Sequence, residues 1–313
     1  MKVFHSISDF KCKNKTVVTL GTFDGVHLGH QRIINRLLSS TQNNDLESIV
    51  LTFLQHPRSI LQVESDIKLL NTNDEKIALL EEKGIDNLII HTFDRDFSEL
   101  TGEEFVKSIL VDQLNIKKII MGYDHRFGKN RASDIHDLIY FGKKYHFDVE
   151  QISAKEIDEI SISSTKIRKA IQDGNLKLAN QYLGYHYTFS GKVVSGKQLG
   201  RTINFPTANI NIPNFQKIIP KNGVYIVEGF WQGKTHQGMM NIGTKPTVDG
   251  KNTTIEVHFF DVNEDLYDLD ISISVHEFIR DEVKFNSIDE LKTQLEKDKI
   301  NSLAYFLKTQ KYR

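Results

Sequence analysis

The sequence "GTFDGVHLGHQ" (21–31) follows the apolar run "TVVTL" and brings two histidines and three glycines together. The apolar run predicts a strand, and the residues from about 28 onward predict a helix. The first amides of a helix have no partner within it, and they attract anions. His27 and His30 would add two donors beside those amides. The motif therefore predicts a pocket that holds a polyphosphate and stabilises charge at phosphorus during group transfer.

The glycines of this motif fit the same chemistry. Gly25 and Gly29 would let a ligand approach the backbone without a Cβ in the way, while Gly21 ends the strand. A second interpretation is that the histidines only cap and pack the helix start, because short motifs often match by chance. A zinc site is a third, but no cysteine or carboxylate cluster with metal-ligand spacing accompanies the histidines.

A second motif, "ISISSTKIRKA", places hydroxyls and cations at the start of another predicted helix. Ser163, Ser164 and Thr165 would lie at its N-terminus, with Lys166 and Arg168 in its first turns. Hydroxyls, N-terminal amides and a guanidinium together form an oxyanion cradle. The alternative is that these residues are ordinary N-caps. The presence of the histidine motif in the same domain favours the cradle.

A third motif, "SGKVVSGKQLGRTINFPTANINI", lies in the second half of the chain. Gly191, Gly196 and Gly200 flank a loop that could lie against phosphates. Thr207 and Asn209 are two residues apart, so in an extended segment they point to the same face. Their oxygens suit a magnesium ion that keeps water and phosphate in its other positions. The alternative is the polar face of an edge strand.

Glu256 lies within the predicted strand "TTIEVHFF". Alternation places it on the same face as Thr254 and His258. Burial of the carboxylate there would raise its proton affinity and make it a usable general base. A solvated strand glutamate is the alternative.

The composition limits the class of partner. The chain has 313 residues, 39% apolar and 26% charged, which predicts a soluble protein of two domains. Because 40 basic residues face 41 acidic ones, no basic field attracts nucleic acid. The single Cys12 fits a reducing compartment, and we find no signal peptide or membrane span in the sequence. We expect a cytoplasmic protein, a monomer or weak homo-oligomer.

Elements that position the motifs follow from hydrophobic periodicity. Strands at 16–21, 48–53, 87–93, 117–123 and 147–153 alternate with helices at 29–41, 73–83, 102–114 and 131–145. This alternation predicts a Rossmann-like, doubly wound parallel sheet, which binds ligands beyond the carboxyl ends of its strands. Capping boxes are expected at Thr72–Glu75, Thr101–Glu104 and Ser287–Glu290.

Two short helices, 163–172 and 176–183, close this predicted first domain, which spans residues 1–184. Short strands rich in β-branched and aromatic residues, with frequent turn signals, follow it. They predict a small antiparallel β-barrel with a C-terminal helix in residues 185–313.

Several motifs of the chain together resemble those of a known family. "TLGTFDGVHLGHQ" with "ISSTKIR" resembles the nucleotidyltransferase superfamily, and more narrowly the FAD synthetase module of bifunctional riboflavin kinase/FAD synthetase. "TFLQHPRSIL" and "MGYDHRFGKNRASD" resemble two further segments of that module. "FPTAN", "NGVYIVEG", "MNIGTKPTV", "TTIEVHFFDVNEDLYD" and "FIRDEVKFNSIDEL" resemble the riboflavin kinase module. The resemblance covers residues from about 15 to about 298.

The resemblance implies roles for particular residues. Catalytic residues would be His27, His30, Arg168 and Glu256. ATP and its phosphates would contact Gly21, Phe23, Gly25, Gly29, Ser164, Thr165, Gly191, Lys197 and Gly200. The flavin would contact His56, Arg58, Asp124, Arg126, Phe127 and Arg280. Mg²⁺ would be bound by Thr207 and Asn209. ATP, riboflavin and FMN would be the substrates.

The sequence departs from the family pattern at four positions. Gln55 replaces a usual proline and His125 a usual aromatic residue, which weakens inferences about their neighbours. Asn204 and Asp268 each replace a usual glycine. Since Asn and Asp tolerate positive φ best among residues with a Cβ, we expect both glycine-like turns to survive.

The resemblance implies an enzyme with two activities: phosphorylation of riboflavin to FMN, and adenylylation of FMN to FAD with release of pyrophosphate. A nucleotidyltransferase with another acceptor would leave the "FPTAN" barrel without a purpose. An aminoacyl-tRNA synthetase-like protein, which shares the His-x-Gly-His cradle, requires a basic RNA surface that the charge balance does not provide. A flavin sensor is favoured only if Glu256 or His27 is dispensable.

Overall fold

The computed structural model describes residues 1–11, 13–42, 45–55, 67–123, 125–153, 162–196, 198–213, 216–247 and 250–310. They form two compact units, Met1–Ser164 and Thr165–Arg313. The division falls at the start of a helix, whereas the sequence texture changes at 184, so the domain boundary at 184/185 stays a prediction. Among the described residues no helix is long and apolar enough to cross a membrane.

The first unit contains a six-stranded sheet in the order β1-β4-β3-β2-β5-β6, and every neighbouring pair is parallel. Its strands are β1 (Lys2–Phe4), β2 (Lys15–Leu20), β3 (Leu46–Phe53), β4 (Asn87–His91), β5 (Ile116–Gly122) and β6 (Asp148–Ile152). The doubly wound sheet that the sequence predicts is confirmed. The three-residue β1 was not predicted, because its pairing with the distant β4, rather than a local pattern, defines it.

Helices lie between these strands. They are α1 (Leu28–Ser39), α2 (Asn73–Glu81), α3 (Arg95–Glu99), α4 (Gly102–Glu104, continued by π-helical turns over Phe105–Gln113) and α5 (Ile135–Tyr145). The capping boxes of Thr72 with Glu75 and of Thr101 with Glu104 are confirmed. Among the described residues of this unit, β2 supplies Val17 to one apolar core cluster and Val18 to another. A central parallel strand is buried on both faces in this way.

The second unit contains a closed barrel of antiparallel strands in the order β10-β11-β8-β7-β12-β9, as predicted. Its strands are β7 (Tyr187–Val194), β8 (Ala208–Asn211), β9 (Gly223–Trp231), β10 (Lys234–Thr247), β11 (Gly250–Phe259) and β12 (Asp270–Arg280). Its helices are α6 (Ser164–Gln172, beginning one residue earlier), α7 (Leu176–Leu183), α8 (Leu199–Thr202) and the C-terminal α9 (Ile288–Gln310). Alternate residues of β7 are buried, as the period of a strand requires.

Helix α7 belongs to the same unit as the barrel, and its Asn180 is hydrogen-bonded to β7 and β12. The Asn180 side chain accepts from the Tyr187 amide at 2.7 Å and donates to the carbonyls of Val275 and His276 at 2.9 and 3.1 Å. At the start of α9, the amide of Glu290 donates to the Ser287 hydroxyl as predicted. The Glu290 carboxylate, however, accepts from the amide of Asn286.

Candidate active sites

The exit of β2 is the point where the strand order of the sheet reverses. β3 and β5 lie on either side of β2, so the chain winds one way through β3 and the other way through β5. Ligands of doubly wound sheets bind in the crevice beyond the carboxyl ends at such a point. The segment 21–27 connects β2 to α1 there, and the histidine motif therefore lies where a ligand is expected.

The backbone of this segment is unusual. Gly25 has a φ of 86°, and two residues with a Cβ, Phe23 and Val26, have φ values of 47° and 34°. Their side chains are both 1% exposed and belong to the core. Left-handed conformations are costly for such residues and concentrate at functional sites. Apolar burial of two side chains thus holds the turn in the shape that presents the following amides.

His27 and His30 form a stacked imidazole pair on the first turn of α1. Their ring centroids are 3.7 Å apart and their planes differ by 16°. His27 is the N-cap, and its Nδ1 accepts from the amide of His30 at 3.4 Å. Since Nδ1 of His27 accepts, the proton of its neutral ring lies on Nε2, which is left as a donor.

Burial keeps the imidazole pair neutral. It lowers the pKa of His27 from 6.5 to about 4. The pKa of His30 is well below its ordinary value because of burial first, then the charges of His27 and Lys76. Nδ1 of His30 is buried and has no hydrogen-bond partner among the described residues. At neutral pH the pair therefore offers hydrogen-bond donors rather than positive charge.

Three other residues of the motif shape the segment. The amide of Gly21 donates to the Leu51 carbonyl at 3.1 Å, and a Cβ there would approach the Phe23 ring at 3.1 Å. The Phe23 ring lies 5.1 Å from that of His30. Gly29 is buried in the first turn of α1. The contacts of Gly21, Phe23 and Gly29 with ATP stay predictions, since their described contacts are within the protein.

The motif "ISISSTKIRKA" is linked to the histidine motif by a hydrogen bond of its Ser164 hydroxyl. Ser164 Oγ donates to the carbonyl of Asp24 at 2.9 Å, so the structure brings Ser164 to the histidine loop. Thr165 is exposed and Arg168 half-exposed; both belong to the second unit, and their predicted phosphate contacts remain predictions.

Two charged residues near the imidazole pair were missed by the sequence. Asp24 is 3% exposed, and its carboxylate accepts from the amides of Leu70 and Asn71. Lys76 is 6% exposed; its burial lowers its pKa, and the charge of Asp24 opposes that shift. A signal existed for the lysine, since it lies four residues before Leu80 on the apolar side of α2.

The predicted flavin contacts of the first unit are only partly placed. Phe127 is 6% exposed in the core, with its ring 5.8 Å from that of Phe105, and Arg126 is exposed. His56, Arg58 and Asp124 lie outside the described residues. All of these contacts stay predictions.

In the second unit three oxygen-bearing side chains converge on neighbouring strands. Asn209 of β8 is directly paired with Glu256 of β11, and Thr207 Oγ1 donates to Glu256 Oε2 at 3.5 Å. Thr207 is exposed, while Asn209 and Glu256 are half-buried outside the apolar barrel interior. A Cβ at Gly196 would lie 2.1 Å from the Asn209 amide. The glycine lets the loop backbone approach the asparagine closely, while the contact of this loop with phosphates stays a prediction.

The loop before Thr207 depends on close backbone approaches. A Cβ at Gly191 would lie 2.6 Å from the Asn211 carbonyl oxygen, and one at Gly200 would lie 2.1 Å from that of Phe205. Close backbone contacts therefore require a glycine at both positions, and the phosphate contacts of these glycines stay predictions. Lys197 lies outside the described residues. His258 Nδ1 is 2.8 Å from the Pro206 carbonyl, which fixes the residue before Thr207.

Asn204 and Asp268 have φ values of 62° and 63°. The expectation that these residues preserve glycine-like turns is confirmed. Arg280, a predicted flavin contact, donates from Nε and Nη2 to the Asp298 carboxylate of α9, with Nη2 to Oδ2 at 2.7 Å. Asp298 is fully buried, so this pair anchors the C-terminal helix to β12, and the flavin contact stays a prediction.

Comparisons with known proteins agree with the two units. A family model described as FAD synthetase matches residues 9–166, and one described as riboflavin kinase matches residues 183–306. A bifunctional riboflavin kinase/FMN adenylyltransferase of Escherichia coli K12 is 38% identical over 291 residues, covering 93% of this chain and 92% of that protein. The enzyme of the same name from Listeria monocytogenes is 38% identical, covering 93% of each chain.

A solved structure shares the fold over nearly the whole chain. It is described as a macrolide-efflux protein from Streptococcus pneumoniae, and it matches with a TM-score of 0.89 and 31% identity. The match covers 96% of this chain and 97% of that one. The efflux description belongs to the S. pneumoniae protein, whereas both family models and the curated relatives agree on flavin chemistry.

Proposed function

The chain belongs to the family of bifunctional riboflavin kinases/FMN adenylyltransferases, and we propose how its residues divide the two reactions between them. Its function is flavin cofactor biosynthesis. One reaction transfers the γ-phosphoryl group of ATP to riboflavin and gives FMN and ADP. The other transfers AMP from a second ATP to FMN and gives FAD and pyrophosphate.

The first unit carries the adenylyl transfer. A phosphate oxygen of FMN attacks the α-phosphorus of ATP, and the bond to the pyrophosphate oxygen breaks. Negative charge grows on the phosphate oxygens as this happens. The amides of the first turn of α1 that precede His30, together with the Nε2–H of His27, are the donors for that charge, and neutral His30 supplies a further one. No protein nucleophile is required, because positioning and charge stabilisation supply the catalysis.

Neutral imidazoles suit this role for a physical reason. A buried imidazolium would be costly without a partner, whereas a neutral ring donates one directed hydrogen bond in a dry site. The observation that carries the proposal is this stacked pair at the N-terminus of α1, at the strand-order reversal. Ser164 fixes the loop through the Asp24 carbonyl.

The second unit carries the phosphorylation. Glu256 accepts the proton of the terminal ribityl hydroxyl as that oxygen attacks the γ-phosphorus and ADP leaves. Thr207 and Asn209 would hold Mg²⁺, and the nucleotide phosphates would supply further ligands. Their hydroxyl and amide oxygens are hard ligands, and Gly196, where a Cβ would clash with the Asn209 side chain, lets the loop backbone pack against that amide. Bound Mg²⁺ would neutralise charge on the phosphates.

We further propose that the chain acts in the cytoplasm, as a monomer or weak homo-oligomer, on ATP, riboflavin and FMN. The near-equal numbers of basic and acidic residues support the absence of a nucleic-acid partner. The absence of a membrane partner is proposed on the composition alone.

The test is a product assay. The protein is incubated with riboflavin, ATP and Mg²⁺, and the flavins are separated by chromatography over time. We expect FMN first and FAD afterwards, with no products when EDTA is added. FMN without FAD would remove the adenylyl transfer from the first unit. Bound but unconverted flavin would favour a sensor.

A further inference from the structure

Lys76 is a buried lysine that neither reaction uses directly. It lies one turn into α2, and Lys76 and Leu80 are the two buried residues of that helix. Leu80 packs in the same apolar cluster as Phe23 and Val26 of the histidine loop. The lysine therefore enters the edge of the core beside that loop. A buried ammonium is costly unless an opposite charge compensates it.

The compensating charge is Asp24, in the middle of the histidine loop. Its carboxylate accepts from the amide of Leu70 at 2.9 Å and from that of Asn71 at 3.3 Å. These residues lead directly into Thr72, the N-cap of α2. Asp24 thus ties the loop to the start of the helix that carries Lys76. Burial lowers the pKa of Lys76, and the Asp24 charge opposes that shift.

His30 is the other neighbour of the lysine charge. Burial, the charge of His27 and the charge of Lys76 all lower its pKa. The Phe23 ring covers it on another side. A cation held behind His30 thus makes protonation of this ring less favourable.

We propose that Lys76 is a positioning residue for adenylyl transfer: its ammonium is a fixed positive charge that holds the Asp24 loop and sustains the neutral imidazole pair. Because its side chain is 6% exposed, it acts behind the imidazoles rather than on the substrate. Its charge also favours the triphosphate across a dry region where screening is weak. The inference rests on the proposed adenylyl transfer in the first unit.

Three variants separate this role from a purely structural one. Lys76→Met removes the charge and keeps the length of the chain. Asp24→Asn combined with Lys76→Met removes both buried charges, so that no uncompensated carboxylate remains, while the asparagine oxygen still accepts from the Leu70 and Asn71 amides. Lys83→Met is the matched control, because Lys83 follows the same helix and donates to Gln31 Oε1 at 3.2 Å.

We expect Lys76→Met to lower kcat for FAD formation from FMN by about 10- to 100-fold, as removal of an orienting partner does. The acid limb of the pH–rate profile should move to higher pH, since His30 becomes easier to protonate. The double variant should regain the thermal midpoint of the wild type without regaining kcat. Riboflavin phosphorylation and Lys83→Met should match the wild type.

Two results would overturn the proposal. One is a Lys76→Met enzyme with the kcat and pH profile of the wild type. The other is a double variant that regains both stability and FAD formation, which would make Lys76 only the structural partner of Asp24. If the wild type forms no FAD, the proposed function fails, and NMR titration of His30 decides the electrostatic claim. An unchanged His30 pKa in Lys76→Met overturns it.

Discussion

The groups that we propose handle phosphate lie in opposite environments in the two units. In the first unit, a neutral imidazole pair is largely buried at the carboxyl end of a parallel strand. Phe23 and Val26 of the same loop have positive φ values, and their buried side chains anchor the loop to the core. In the second, Glu256 and Asn209 are half-buried on the outer side of a barrel. A buried site such as the first stabilises charge with hydrogen-bond donors in fixed positions. A half-exposed site such as the second can also hold a metal ion, its water ligands and a carboxylate that accepts a proton.

This contrast suits the two reactions. Adenylyl transfer starts from a phosphate oxygen that is already charged, so it requires charge stabilisation but no base. Phosphorylation starts from a neutral hydroxyl, whose proton must be accepted. The unit with the carboxylate is therefore the one whose substrate requires it. Variants that remove one chemistry at a time test this division.

The largest effect is expected from His27→Ala with His30→Ala. Each removes a donor worth about 10²- to 10³-fold in kcat, so FAD formation should fall by at least about 10⁴-fold. Riboflavin should still be converted, and FMN should accumulate in the chromatographic assay. His27→Asn is the control for loss of the N-cap, because asparagine caps helices well. Loss of both activities in a folded protein would show that the two-site assignment is wrong.

Glu256→Gln should have the converse effect. Loss of the general base should slow FMN formation by about 10²- to 10⁴-fold, because glutamine keeps the shape of the side chain but cannot accept the proton. FMN supplied from outside should still be converted to FAD at the rate of the wild type. Glu277→Gln, which changes an exposed glutamate of β12, is the matched control. Rapid FMN formation by the Glu256 variant would assign the base elsewhere.

The sequence predicted the sheet and the barrel because both depend on local periodicity. It also predicted that the histidine motif lies at a strand-to-helix turn, because such a glycine-rich turn has a local signature, while the phosphate contacts of the motif stay a prediction. It missed Asp24 and Lys76 because their burial depends on how α2 packs against a loop about 50 residues earlier in the chain. The four-residue spacing of Lys76 and Leu80 indicates which side of α2 is buried, but no spacing within either segment shows that this side packs near the histidine loop.

The partners of single side chains within the protein could not be predicted from the motifs. Phe127 lies in the core and Arg280 pairs with Asp298 of α9, while the flavin contacts implied for both stay predictions. A motif fixes the identity of a residue, but its partners come from elements far along the chain. The positive φ values of Asn204 and Asp268 could be predicted, because tolerance of this conformation is a property of Asn and Asp themselves.

A medium effect is expected on the pH dependence of stability in the first unit. The pKa of His27 is about 4 in the folded state and 6.5 as its ordinary value. Between these values the unfolded chain binds a proton that the folded one does not, so stability falls as pH drops from 6.5 to 4. The loss for His27 reaches about 3 kcal/mol. Hydrogen exchange of the β2 amides, corrected for intrinsic rates, measures it.

His27→Asn should reduce this pH dependence, because asparagine keeps the cap and cannot be protonated. His5→Asn, at an exposed histidine of the same unit, is the matched control. Equal pH dependence of β2 exchange in the wild type and His27→Asn would mean that the imidazole is not held in a dry site. The contrast between the two units would then lose its physical basis.

The smallest effect concerns how the second unit holds its loop. Asn204 is exposed at a φ of 62°, so its conformation rather than its packing matters. Asn204→Ala should destabilise the second unit by about 1 kcal/mol, and Asn204→Gly should change its stability by a few tenths at most. Fluorescence of Trp231, the single tryptophan, reports the thermal midpoint of this unit. An alanine variant as stable as the glycine variant would show that the turn does not require the left-handed conformation. The position of Asn209 and Glu256 would then depend on strand pairing, whereas the position of His27 and His30 depends on the conformation of the loop before them.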